Sequence, residues 1–85
     1  MKARILRFAP PAQRFVEEVH PPLKDRLRAA VLALAGDPLS GKPLRGDLKG
    51  HYSYRVGDWR VIYSFDRESV YIESIRHRRD AYRRK

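Results

Sequence analysis

The chain has 85 residues, which is long enough for one small domain with a single core but not for a second core. Apolar residues make up 42% and aromatic residues 11%, a composition that excludes a largely disordered chain. The formal net charge is +9, and residues 76–85 hold six basic residues against one acidic residue. This concentrated positive charge favours polyanionic partners such as RNA, DNA or acidic proteins.

Composition also excludes several kinds of site. Cysteine is absent, so neither a disulfide framework nor a thiolate zinc site can form. The Asp, Glu and His residues do not have the spacing of a metal site, and we expect no metal and no cofactor. No apolar run approaches the ~20 residues that span a bilayer, and the first residues carry too short an apolar stretch for a secretory signal. We therefore expect a cytoplasmic protein that does not bind a membrane.

The N-terminal half predicts a strand followed by two helices. Residues 2–8 alternate between an apolar and a mixed side, which predicts a strand that ends before two prolines at 10 and 11. Proline is tolerated in a first helical turn, because its missing N–H has no intrahelical partner there. The first helix has an apolar stripe of Ala12, Phe15, Val16 and Val19. The second is predicted over about 22–35, with Gly36 as a C-cap and an apolar face of Leu23, Leu27, Ala30, Val31 and Leu34.

The C-terminal half predicts a loop and three strands. Residues 36–50 are rich in glycine and proline and predict a loop. Strand-like alternation follows over 52–56, 59–65 and 70–75, separated by Gly57-Asp58 and by the DRES turn. We expect a single domain over residues 1–85 of class α+β, with order β-α-α-β-β-β. A two-helix hairpin should pack on one face of an antiparallel sheet, followed by a basic C-terminal tail or short helix.

Basic and aromatic residues are the candidates for chemistry. Arg60 interrupts an apolar strand, so its side chain should leave the core and reach either a ligand or Glu73 on the neighbouring strand. Arg78 and Tyr82 are four residues apart and share a face whether that segment is helical or extended. His51 and His77 are candidate acids or bases, because histidine ordinarily titrates near neutrality. Composition alone favours the interpretation of this basic C-terminus as a solvated, partly frayed chain end.

Two segments resemble the RelE/ParE superfamily of type II toxin–antitoxin toxins. PLRGDLKGHYSYRVGDWRVIY, residues 43–63, is similar to the family block L-x-G…Y-R-x-R-x-G-x-Y-R-V-I-Y. IRHRRDAY, residues 75–82, is similar to the closing G-x-R-x-x-x-Y of the RelE branch. The resemblance implies a basic toxin that forms a hetero-oligomer with a cognate antitoxin. For the RelE branch it further implies a metal-independent endoribonuclease that cleaves mRNA in the ribosomal A site.

The resemblance also implies roles for individual residues. Arg60 matches the strand arginine that holds the scissile phosphate, Arg78 matches the arginine that stabilises the transition state or protonates the leaving group, and Tyr82 matches the proposed general base. Arg55 stands where RelE-type enzymes often carry a lysine, and Ser53 replaces the other strand lysine, so His77, His51 or Asp47 could compensate as acid or base. The expected RNA contacts are Lys49, His51, Arg76, Arg79 and Arg83.

Two alternatives remain at the level of sequence. The ParE branch of the same superfamily implies inhibition of DNA gyrase by binding, without nuclease side chains. A basic nucleic-acid-binding module without toxicity or catalysis is the second alternative. Arg60 together with Arg78 and Tyr82 favours the RelE branch over both.

Overall fold

A computed structural model describes residues 3–79, and these residues form two helices packed on a five-stranded sheet. The helices are α1 (Pro10–Glu18) and α2 (Pro21–Gly36). The strands are β1 (Ile5–Phe8), β2 (Lys42–Pro43), β3 (Tyr52–Val56), β4 (Trp59–Phe65) and β5 (Ser69–His77). The predicted α+β class and the order of the main elements are confirmed. The C-terminal tail or short helix expected after Arg79 lies outside the described residues.

The sheet is mixed and has the strand order β1-β5-β4-β3-β2. The meander of β3, β4 and β5 is antiparallel, as predicted. β1 pairs in parallel with β5, with Ile5 opposite Ser69. Both helices and strands β2, β3 and β4 lie between these two strands in the sequence, which gives the long connection that parallel pairing needs. The predicted loop over 36–50 contains β2 and two turns of 3-10 helix, Pro38–Ser40 and Gly46–Leu48. β2 has two residues, which is too short for an alternating pattern to be visible in the sequence.

The core lies between the two helices and one face of the sheet. Its fully buried members include Leu27 and Leu34 of α2, Val61 and Tyr63 of β4, and Ile72 of β5. The sequence predicts Leu27 and Val31 of α2 and Trp59, Val61 and Tyr63 of β4 as core residues, and all but Trp59 are buried. Trp59 is half-buried at the margin of the core, where its ring lies 5.0 Å from that of Phe15 in α1. The described helices include none that is both long enough and apolar enough to span a bilayer.

A glycine turn and a buried hydroxyl fix two connections around the sheet. The β3–β4 reversal places Gly57 at φ 62°, a conformation that a residue with a side chain rarely adopts. The buried hydroxyl of Tyr63 donates a hydrogen bond to the carbonyl of Pro38 over 2.6 Å and accepts one from the Gly41 N–H over 3.0 Å. These bonds attach the segment after α2 to the middle of β4. Burial of the phenol raises the pKa of Tyr63 to about 12.

Candidate functional site

The face of the sheet that points away from the helices carries the candidate site. Side chains alternate along a strand, and Val61 and Tyr63 of β4 point into the core. Arg60, Ile62 and Ser64 therefore lie on the opposite face, which we call the open face. The prediction that the Arg60 side chain leaves the core agrees with this placement.

Three arginines lie side by side across the open face. Arg60 of β4 is directly opposite Arg55 of β3 and, on its other side, directly opposite Arg76 of β5. We call these three residues the arginine row. Like charges directly opposite each other in a sheet repel each other. The register therefore concentrates positive charge on one face, which favours an anionic ligand.

The outer members of the row are oriented by local hydrogen bonds. Arg55 donates from Nε to the carbonyl of Gly57 over 3.3 Å, and Arg76 donates from Nε to the hydroxyl of Ser74 over 3.3 Å. Both arginines are exposed, whereas Arg60 between them is half-buried. The register thus places three positively charged side chains at neighbouring positions of the open face, where charge-assisted donors are available to a phosphate.

The end of β5 lies beside the arginine row. The Arg78 N–H donates to the carbonyl of Asp58 over 2.7 Å, and Asp58 belongs to the turn between β3 and β4. This bond holds the backbone of Arg78 next to the turn that joins Arg55 to Arg60. Arg78 and Arg79 are exposed, while Tyr82 and Arg83 lie outside the described residues.

His77 lies on the other side of the sheet from the arginine row. It is paired with Trp59, and the two rings meet edge to face with their centroids 5.2 Å apart. Its Nδ1 accepts a hydrogen bond from the Arg79 N–H over 3.3 Å. The structure therefore does not bring the His77 ring together with Arg60 and Arg76, because alternation along β5 sends positions 76 and 77 to opposite faces.

A second polar group lies at the other end of the open face. Glu73 Oε2 accepts a hydrogen bond from the Ser64 hydroxyl over 3.1 Å and lies 3.7 Å from His51 Nε2. We call His51, Ser64 and Glu73 the Glu73 cluster. Sequence reasoning considered Glu73 only as a partner for Arg60 and did not treat it as a site residue. The signal that could have identified it is its place as an acidic residue inside a strand, where glutamate is uncommon.

Lys49 lies in the loop that leads to the Glu73 cluster. It follows the 3-10 turn Gly46–Leu48 and is exposed. The loop is anchored at His51, whose N–H donates to Leu48 and whose carbonyl accepts from Leu44, each over 2.9 Å. Within residues 3–79 there is no group of three His, Asp or Glu side chains that could hold a metal ion.

Comparison with known proteins identifies the family. The family model described as the ParE toxin of type II toxin–antitoxin systems matches residues 4–82, which is nearly the whole chain. The chain belongs to this toxin family. The RelE/ParE resemblance seen in the sequence is thereby confirmed.

Relatives of this toxin family place the chain in more detail. The toxin RelG of Mycobacterium tuberculosis is 39% identical over 87 residues, covering 93% of this chain and 95% of that protein. The toxin RelE of the same organism is 39% identical over 69 residues, covering 72% of this chain and 71% of that protein. In the crystal structure of the toxin–antitoxin complex RelBE2 of M. tuberculosis, a chain with 38% identity superposes with a TM-score of 0.64 over 94% of this chain and 97% of its own length.

Proposed function

We propose that this toxin is a metal-independent endoribonuclease that cleaves mRNA in the ribosomal A site. The observation that carries the proposal is the arginine row, in which Arg55, Arg60 and Arg76 oppose one another on one exposed face. Three adjacent guanidinium groups match a phosphodiester backbone, because each offers planar, charge-assisted donors to phosphate oxygens. The similarity to relatives named RelE and RelG supports the same branch of the superfamily.

RNA supplies the nucleophile for this reaction. The 2′-hydroxyl oxygen attacks the adjacent phosphorus, its proton passes to a base, and the bond from phosphorus to the 5′-oxygen breaks as that oxygen takes up a proton. The products are a 2′,3′-cyclic phosphate and a 5′-hydroxyl. The enzyme must orient the reacting groups, stabilise charge on the phosphorane and move two protons, and none of these tasks requires a covalent enzyme intermediate.

The proposed roles are those that the family resemblance implies, combined with the positions of the described residues. Arg60, in the middle of the row, holds the scissile phosphate, and Arg55 and Arg76 contribute further charge on either side. Arg78, whose backbone is hydrogen-bonded to the β3–β4 turn, stabilises the transition state or protonates the leaving oxygen. Tyr82 is proposed to orient or deprotonate the 2′-hydroxyl. Arg79, Arg83 and Lys49 contribute contacts to the RNA backbone.

The test is primer extension on a translated mRNA incubated with purified toxin, with and without ribosomes. Cleavage that requires ribosomes and leaves 2′,3′-cyclic phosphate ends or their hydrolysis product supports the proposal. RNA with a 2′-deoxy or 2′-O-methyl group at the cut site should resist. Arg78→Ala and Tyr82→Phe should each lower the single-turnover rate by ~10²–10⁴. Cleavage of an all-DNA strand or full activity of the double variant would contradict it.

Inhibition of DNA gyrase is the second candidate function. The observation that favours it is the matching family model, whose description is that of a ParE toxin. Gyrase inhibition requires a binding surface but no phosphate chemistry. An assay in which the toxin blocks gyrase supercoiling and cleaves no RNA, with or without ribosomes, would establish this function in place of the nuclease.

A cognate antitoxin is the proposed protein partner. The solved relative RelBE2 is a toxin–antitoxin complex, and this chain carries a net charge of +9. We propose a hetero-oligomer in which an acidic or amphipathic antitoxin segment covers the open face and reduces access to the arginine row. Affinity that falls as salt rises supports this arrangement. A complex whose affinity does not change with salt concentration, and in which Arg60 remains accessible, would contradict it.

A further inference from the structure

Glu73 is an acidic residue on the open face, which also carries the arginine row. It is the only acidic residue within the described strands, whose basic lysine and arginine members are Arg7, Lys42, Arg55, Arg60 and Arg76. Its side chain is 41% exposed, so the carboxylate is accessible on the open face. A carboxylate repels phosphate, so on a surface that binds RNA it would contact another part of the nucleotide.

An irregularity in the sheet presents this residue to the open face. Ile62 of β4 pairs with Ser74, but the next residue, Tyr63, pairs with Ile72, so Glu73 is an additional residue on β5. Such bulges redirect a side chain and increase the local twist, and they are frequent beside functional sites. The bulge places Glu73 within reach of Ser64 and His51, which are its polar neighbours.

The neighbours orient the carboxylate and leave it able to accept more hydrogen bonds. Both described contacts, from the Ser64 hydroxyl and towards His51 Nε2, involve Oε2. An ionised carboxylate has about four lone-pair positions on its two oxygens, so it has acceptor capacity beyond these contacts. It offers no donor.

Among the RNA bases, guanine complements this group best. Its Watson–Crick edge presents two neighbouring N–H donors, N1–H and the N2 amino group, which match the two oxygens of one carboxylate. Cytosine and adenine offer an amino group beside a ring nitrogen that repels the carboxylate. Uracil offers one N–H between two carbonyl oxygens. A carboxylate therefore selects guanine and disfavours uracil.

The position of the cluster separates this role from the phosphate chemistry. Ser64 lies four residues beyond Arg60 on β4, which is roughly 13 Å at ~3.3 Å per strand residue. A strand of RNA held by the arginine row would thus reach the Glu73 cluster with a different nucleotide from the one whose phosphate reacts. Glu73 does not touch the reacting atoms in this arrangement.

We propose that Glu73, oriented by Ser64 and His51, selects a guanine base near the cleavage site by accepting hydrogen bonds from its Watson–Crick edge. This inference rests on the proposed RNA substrate. It assigns specificity to a residue that the nuclease mechanism does not use.

The test measures binding and cleavage separately. Fluorescence anisotropy compares short single-stranded RNAs that differ at one position, with guanine, inosine or uracil. Primer extension on a translated mRNA then ranks the cut sites by their neighbouring bases. The wild-type toxin should favour guanine by roughly 5- to 150-fold, the range of one good bidentate contact, and inosine, which lacks the N2 amino group, should lose part of this preference. Glu73→Gln should abolish the preference while cleavage at other sites continues.

Glu68→Gln is the matched control. Glu68 lies in the exposed turn between β4 and β5, and its substitution changes the net charge by the same amount. It should leave the guanine preference unchanged. Equal binding of the guanine, inosine and uracil RNAs by the wild-type toxin, or a preference retained in Glu73→Gln, would overturn the inference. A binding preference that Glu73→Gln abolishes in a toxin that cleaves no RNA would support the inference and refute the proposed nuclease.

Discussion

Arg60 and Arg76 occupy directly opposed positions in the antiparallel register of β4 and β5. Arg55 opposes Arg60 from β3, so one strand arginine has a like charge on each side. Sheets ordinarily place opposite charges or apolar side chains in such pairs, because opposed like charges lower stability. A phosphate bound across these positions would offset this repulsion, which links the register of the sheet to the proposed substrate.

Substitution of Arg60 should separate function from stability. We expect Arg60→Ala to lower the single-turnover cleavage rate by ~10²–10³, because a preorganised charge donor is lost. Urea titration should show a change in the free energy of unfolding of less than ~1 kcal/mol, since the variant also relieves repulsion from Arg55 and Arg76. Arg67→Ala, in the exposed β4–β5 turn, is the control and should retain activity. Unfolding of the Arg60→Ala domain would instead identify a structural ion-pair residue.

Removing the Tyr63 hydroxyl should destabilise the fold. Tyr63→Phe leaves the Gly41 N–H and the Pro38 carbonyl without their partner, at a cost of ~1–3 kcal/mol in the free energy of unfolding. Chemical denaturation at pH 7 measures this difference. Tyr71→Phe, which removes a hydroxyl from the exposed bond to Asp66, should cost less. An equal loss of stability in the two variants would show that the buried hydrogen bonds of Tyr63 stabilise the fold no more than the exposed bond of Tyr71.

Tyr63 should also set the stability of the fold in alkali. Its pKa is raised from 10.0 to about 12, so the unfolded chain loses this proton at a lower pH than the folded chain does. The stabilising contribution is therefore complete below pH 10 and declines as the pH rises from 10 to about 12. The stability difference between wild type and Tyr63→Phe should shrink over this interval, as measured by denaturation at each pH. A constant difference would contradict the prediction.

Asp66 should stabilise the fold at neutral pH and lose this contribution in acid. Hydrogen bonds from the backbone N–H groups of Ser69 and Glu68, then from the Tyr71 hydroxyl, hold the pKa of Asp66 below its ordinary 3.8. Its stabilising contribution is present above pH 3.8 and is lost as the pH falls through the lower, folded-state value.

Acid titration of Asp66→Asn tests this contribution. The variant should be less stable than the wild type at neutral pH, and the difference should diminish as the pH falls below 3.8. Thermal denaturation at a series of pH values gives the comparison. Asp25→Asn, on the exposed side of α2, controls for the loss of one carboxylate. A difference between wild type and Asp66→Asn that grows in acid would exclude this role.

Truncation in the core should abolish activity by unfolding the domain. Leu27 is 0% exposed, and Leu27→Ala removes buried methyl groups and leaves a cavity, at a cost of ~2–5 kcal/mol in the free energy of unfolding. Leu32→Ala is a matched control on the same helix, because Leu32 is 65% exposed and should lose little stability. Urea titration of both variants gives the comparison. Similar losses of stability in the two variants would show that burial of Leu27 does not stabilise the fold.

Local patterns in the sequence were sufficient for most of the fold. Period-two alternation predicted β3, β4 and β5. Prolines at 10 and 11 marked the start of the first helix, because proline fixes the backbone for a first turn and has no N–H to place there, and prolines at 21 and 22 marked its end and the approximate start of the second. The two-residue β2 and the parallel position of β1 beside β5 could not be predicted in this way. Pairing between strands far apart in sequence depends on the packing of the helices between them.

The same distinction applies to the site. The sequence by itself determined that Arg60 leaves the core, since a charge between Trp59 and Val61 cannot remain buried without a partner. Only the tertiary structure decided which residues stand beside it. Register aligned Arg55 and Arg76 with Arg60, alternation along β5 sent His77 to the side of the helices, and a bulge turned Glu73 towards Ser64 and His51. Sequence period specifies the face of a side chain, but its neighbours across a sheet are set by hydrogen-bonded register, which is a property of the assembled strands.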